Sequence, residues 1–113
     1  MTHNPVTASP AERLSTIKDK FDSGNFRSIP IVSSGKLVGL VTDRDLRLFT
    51  GKLADTEAKE VMTSVPPSVT PDTSLHKAAQ LLREHKLDSL AVIESERLVG
   101  IITTTDVLGA LND

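Results

Sequence analysis

Residues 39–45 read GLVTDRD and residues 100–106 read GIITTTD, so a glycine, an apolar run, a threonine and an aspartate recur at one spacing, 61 positions apart. Sliding the chain against itself by that offset pairs residues 1–52 with 62–113 without a gap. Twelve pairs are identical, among them Met1/Met62, Pro10/Pro71, Leu14/Leu75, Gly39/Gly100, Thr42/Thr103 and Asp45/Asp106. Val32/Ile93, Leu40/Ile101 and Val41/Ile102 are conservative matches between them. The chain therefore divides into one copy at 1–52, a linker at 53–61 and a second copy at 62–113, together one compact module.

Each copy carries the same series of local signals. Ser9 to Glu12 (SPAE) offers a hydroxyl cap, a proline at the first helical position and a glutamate three residues on, which predicts a helix from about Pro10. Leu14, Ile17 and Phe21 then fall on one stripe, and Gly24 can end the helix; Leu75, Ala78, Ala79 and Leu82 repeat the stripe. SIPIV and KLVGLVT around SSGK predict a hairpin, as do SLAVI and LVGIIT around ESER, and a second helix follows each. The expected fold is α/β of the α+β type: two β-α-β-β-α repeats packed sheet to sheet with pseudo-twofold symmetry. A unit of roughly fifty residues is marginal for an independent core, so the length of 113 residues favours one shared core.

Composition narrows the function. Apolar residues at 38% and charged residues at 25% belong to folded globular chains. A net charge of −2 without a basic stripe, and only Phe21, Phe26 and Phe49 as aromatic rings, argue against nucleic acid as a partner. The absence of cysteine excludes disulfides and thiolate chemistry, and no basic-then-apolar leader or membrane-length run occurs, so a cytoplasmic location is expected. His3, His76 and His85 lack metal-ligand spacing, and no positioned nucleophile is visible, so neither a metal nor an enzymatic activity is expected.

The repeated Thr-x-x-Asp has two physical readings. As structure, it is a capping box that starts a helix. As a site, the threonine hydroxyl and the helix start can hold a phosphate, and the aspartate can accept from the vicinal hydroxyls of a ribose. Both readings are open for Thr42/Asp45 and for Thr103/Asp106.

The company the motif keeps resembles a known family, the tandem cystathionine-β-synthase (CBS) domain pair. NPVTASP and PPSVTPDTSL, RSIPIV and DSLAVI, and LVGLVTDRDL and LVGIITTTDV carry the likeness twice, in order and at fixed spacing. The first copy is most similar to the pair inserted in IMP dehydrogenases, but no catalytic barrel is present, so no dehydrogenase activity is implied. The resemblance implies a regulatory module that binds adenosine-containing nucleotides (AMP, ADP, ATP) in clefts between the repeats, with no cofactor required. It implies ribose contacts from Asp45 and Asp106 and phosphate contacts from Thr42 and Thr103. Base contacts would come from Val6, Thr7 and Ala8 with Ile29, Pro30 and Ile31, and from Ser68, Val69 and Thr70 with Leu90, Ala91 and Val92. The copies differ where Arg44 is replaced by Thr105 and Pro30 by Ala91, and a guanidinium at Arg44 favours the first copy for a charged ligand.

Leu46, Leu48 and Phe49, with Val107, Leu108 and Leu111, exceed what one chain can readily bury, which points to a homodimer. The competing function is a ligand-free dimerisation or protein-interaction module, in which the Thr-Asp pairs only cap helices. A regulated partner protein is expected in the first case; no membrane association is expected in either.

Overall fold

The computed structural model describes residues 1–24 and 27–111; Phe26 and the side chain of Leu111 lie outside the described residues. The chain forms two compact units, one of Val6–Pro66 and one of Met1–Pro5 with Pro67–Asp113.

In the Val6–Pro66 unit the predicted apolar stripe makes the helix. Leu14, Ile17 and Phe21 are the buried face of α1 (Leu14–Asp22). The helix starts four residues later than the SPAE signal predicts. Ser9 N–H does donate to Glu12 Oε2 (2.6 Å), but this closes a turn rather than a helix. The reason is tertiary competition for the backbone. In a helix the Pro10 and Glu12 carbonyls would accept from Leu14 and Thr16. Here Pro10 O accepts from Lys59 N (2.9 Å), Glu12 O from Ala58 N (2.8 Å), and Leu14 N donates to Thr56 O (2.8 Å). The linker is therefore structured: a 3₁₀ turn at Leu53–Asp55 leads to the one-turn helix α3 (Ala58–Val61), with Glu57 N donating to Glu60 Oε2 (2.7 Å).

The helix packs on a hairpin of β1 (Ser28–Ser33) and β2 (Lys36–Thr42), which runs directly into α2 (Asp43–Leu48). Ser34 (φ 51°) and Gly35 (φ 83°) form its two-residue turn, the left-handed pair that matches the twist of a hairpin. Ahead of α1, Ala8 makes one parallel bridge to Ile31, and β3 (Thr63–Ser64) lies antiparallel on β2 at Leu40 and Gly39. Ala8, Leu14, Ile17, Phe21, Ile29, Ile31, Val41, Leu46 and Ala58 form this unit's core.

The other unit repeats the order: β4 (Ser68–Val69), α4 (Leu75–His85), β5 (Ser89–Glu94), β6 (Arg97–Thr103) and α5 (Thr104–Leu111). Even the irregularity is copied, since the hairpin register slips between Val92 and Ile93 as it does between Ile31 and Val32. Its turn uses Ser95 (φ 53°) and Glu96 (φ 69°) without a glycine. Thr2 pairs with Ile101 through two hydrogen bonds of 2.9 Å, just as Thr63 pairs with Leu40.

Val69, Ala78, Leu82, Leu90, Val92 and Val107 form a second core. Each unit thus has its own cluster of buried residues, because each hairpin is covered by its own first helix. Leu75 departs from its stripe and is 39% exposed, whereas Leu14, its counterpart, is held under the linker. Among the described residues no helix is long and apolar enough to cross a membrane.

Candidate functional site

β2 delivers Thr42 to the start of α2 in extended geometry (φ −109°, ψ 166°). Thr42 N–H donates to Asp45 Oδ2 (2.8 Å), the Thr42 hydroxyl donates to the same oxygen (3.1 Å), and Asp45 N–H donates to Thr42 Oγ1 (3.3 Å). The second unit builds the same box: Thr103 N–H to Asp106 Oδ2 (2.9 Å) and Asp106 N–H to Thr103 Oγ1 (3.1 Å). Both copies therefore form the capping box. The cap uses one carboxylate oxygen of each aspartate, and among the described residues Oδ1 has no hydrogen-bond partner in either. The helix-start amides are also largely committed, since Asp43 N donates to Arg27 O (3.0 Å) and Thr104 N to Asp88 O (2.9 Å). Thr42, Asp45, Thr103 and Asp106 are half-buried, whereas Arg44 is exposed.

The segments expected to face a base sit beside the first hairpin strand in each unit. Ala8 N donates to Pro30 O (3.1 Å) and Ala8 O accepts from Val32 N (2.8 Å), so both main-chain groups of Ala8 are paired. Ile29 and Ile31 are fully buried core residues, and what they can offer a ligand is main chain rather than side chain. Val6 is exposed, Thr7 half-buried and Pro30 buried. In the second unit Ser68 pairs with Ala91 and Val69 with Val92 in a short parallel ladder, and Thr70 stays exposed. Leu90, Ala91 and Val92 are buried. The difference between one bridge and a two-residue strand follows from Pro30. Its carbonyl faces the leading segment, as does its nitrogen, and a proline nitrogen has no hydrogen to donate there, whereas Ala91 does.

One connection was not visible in the sequence. Lys20 Nζ donates to Thr7 O (2.9 Å) and to Glu12 Oε1 (2.7 Å). No sequence pattern flags a lysine that reaches back eight and thirteen residues from a helix to a turn. The three histidines are exposed, and the described residues contain no group of three or more His, Cys, Asp or Glu placed to hold a metal.

A family model for the CBS domain matches residues 1–50 and 58–113. The chain belongs to the CBS domain family. It is 34% identical over 110 residues to the CBS domain-containing protein YhcV of Bacillus subtilis, covering 95% of this chain and 79% of that one. It is also 34% identical over 110 residues to inosine-5'-monophosphate dehydrogenase of Staphylococcus haemolyticus, but spans only 22% of that enzyme's length. Among solved structures, CBSX2 of Arabidopsis thaliana, crystallised in complex with AMP, superposes with a TM-score of 0.87 at 26% identity over 99% of this chain and 92% of that one.

Proposed function

We propose that the chain is a non-enzymatic regulatory module that binds an adenine nucleotide of the AMP, ADP or ATP class and signals its occupancy to a partner protein or to its own oligomeric state. The carrying observation is the unused oxygen. Each capping box holds its aspartate rigidly through Oδ2 and leaves Oδ1 open, a fixed acceptor of the kind a ribose hydroxyl needs. The AMP complex of CBSX2, at 26% identity, supports the nucleotide class. Residues 1–52 and 62–113 would act together, with Thr42, Arg44 and Asp45 serving one ligand and Thr103 and Asp106 the other. Calorimetric titration with AMP, ADP, ATP, GTP, NAD and S-adenosylmethionine tests this. A ligand at 100 times its Kd should also raise stability by about 2.7 kcal/mol. Absence of both signals for every adenosine compound rejects the proposal.

A second reading, a ligand-free dimerisation module, is favoured by Leu48 and Leu108, which stay 73% and 56% exposed on α2 and α5. Under it, the boxes are only caps, and nucleotides leave the melting temperature unchanged.

A further inference from the structure

The two copies differ in how the turn ahead of the first helix is held. In the first, Lys20 on α1 binds the Thr7 carbonyl (2.9 Å) and Glu12 Oε1 (2.7 Å), while Glu12 Oε2 accepts from Ser9 N–H (2.6 Å). This chain of bonds spans residues 7–12. The side chains of Lys20 and Glu12 are only 31% and 26% exposed, so the pair is partly shielded from water and holds better than a surface ion pair. In the second copy the matching positions are Leu81 for Lys20 and Thr73 for Glu12. There Thr70 N–H donates to the neutral Thr73 Oγ1 (3.0 Å), and Leu81 has no group to offer the Ser68 carbonyl.

We infer that Lys20 is a positioning residue for ligand binding: with Glu12 it fixes the Thr7–Ala8 main chain of the first copy, where Pro30 denies that segment the second ladder pair that Ser68–Val69 has, so that this site is preorganised. This deepens the nucleotide reading above and rests on it. Without Lys20 the Thr7 carbonyl loses its partner and Glu12 its cation, and the Ala8 bridge is what still ties Thr7–Ala8 to β1, because Pro30 cannot donate a further bond. A ligand would then have to order the turn as it binds, and affinity falls by that ordering cost. Because the segment is expected to face the nucleoside and not the phosphates, the loss is independent of phosphate number.

The test uses the full chain with Lys20→Met and, as a milder change, Glu12→Gln. Amide exchange without ligand should speed up at Ala8 and Ser9 in Lys20→Met while the amides in the middle of α1 keep their protection. Titration with adenosine, AMP and ATP should show about a tenfold loss for all three, with a smaller loss in Glu12→Gln and no additional loss in the double variant. Unchanged exchange at Ala8 and Ser9 overturns the positioning role whatever binds. Faster exchange with unchanged affinity overturns its link to the ligand. A loss that grows from adenosine to ATP overturns it as well, because Lys20 would then be acting as a charge on phosphate. If the wild type binds none of the three, the nucleotide reading itself falls, and the exchange result alone then reports whether Lys20 orders the turn.

Discussion

Asp45 Oδ2 accepts from both the amide (2.8 Å) and the hydroxyl (3.1 Å) of Thr42, so one carboxylate oxygen completes the cap of α2 and the other takes no part in it. The ligand role proposed above would fall to the oxygen that the cap does not use. In Asp45→Asn the amide oxygen can keep the cap while the NH₂ replaces the open acceptor. Stability without ligand should fall by about 1 kcal/mol or less. ATP affinity should fall about ten- to a hundredfold, and less in Asp106→Asn, whose copy lacks the guanidinium of Arg44. Calorimetry on both variants decides it: unchanged affinity beside lowered melting temperatures leaves only the cap.

AMP and ATP should bind more tightly than GTP, because the base contacts expected here come from main chain and apolar side chains fitted to adenine. Competition titration measures the order, and equal or tighter GTP binding removes the claim.

Gly39 and Gly100 are tight for different reasons. A Cβ at Gly39 would collide with the Met62 side chain, which can move, whereas one at Gly100 would sit 2.6 Å from the Thr2 carbonyl, which is backbone. Gly100→Ala should therefore cost more than Gly39→Ala, with both in the range of about 1–3 kcal/mol. Denaturant unfolding compares them, and Met62→Ala should relieve the clash at residue 39.

Val65 holds φ at 50° with its side chain 90% exposed, a left-handed conformation that a β-branched residue adopts only under strain. Its counterpart in the first copy is Asn4. Val65→Asn or Val65→Gly removes strain and loses no buried contact, so stability should rise by about 1 kcal/mol. A lower melting temperature in both variants contradicts this account.

With Leu48 and Leu108 exposed, the chain should be a homodimer in solution, and Leu48→Lys with Leu108→Lys should shift it to monomer. Light scattering at micromolar concentration reads the mass directly. A monomeric wild type, with and without nucleotide, counts against the dimer.

Much of the local structure was legible because its causes are local. The offset of 61 residues, the hairpins around Ser34–Gly35 and Ser95–Glu96, and the helix starts at Thr42 and Thr103 rest on periodicity, turn chemistry and caps that a few neighbouring residues decide. Of the candidate site, the Thr-Asp pairs could be read for the same reason. Other features depended on groups far apart in the chain. The SPAE box closes a turn because linker amides take the Pro10 and Glu12 carbonyls, and Leu14 is buried where Leu75 is not. Lys20 reaches Thr7 only once α1 has folded back beside the turn. The sequence by itself determined the repeat, the order of elements and the two caps. Only the tertiary structure decided where α1 begins and that Leu14 is buried where Leu75 is not, because backbone hydrogen bonds and burial go to whichever distant partner arrives with better geometry.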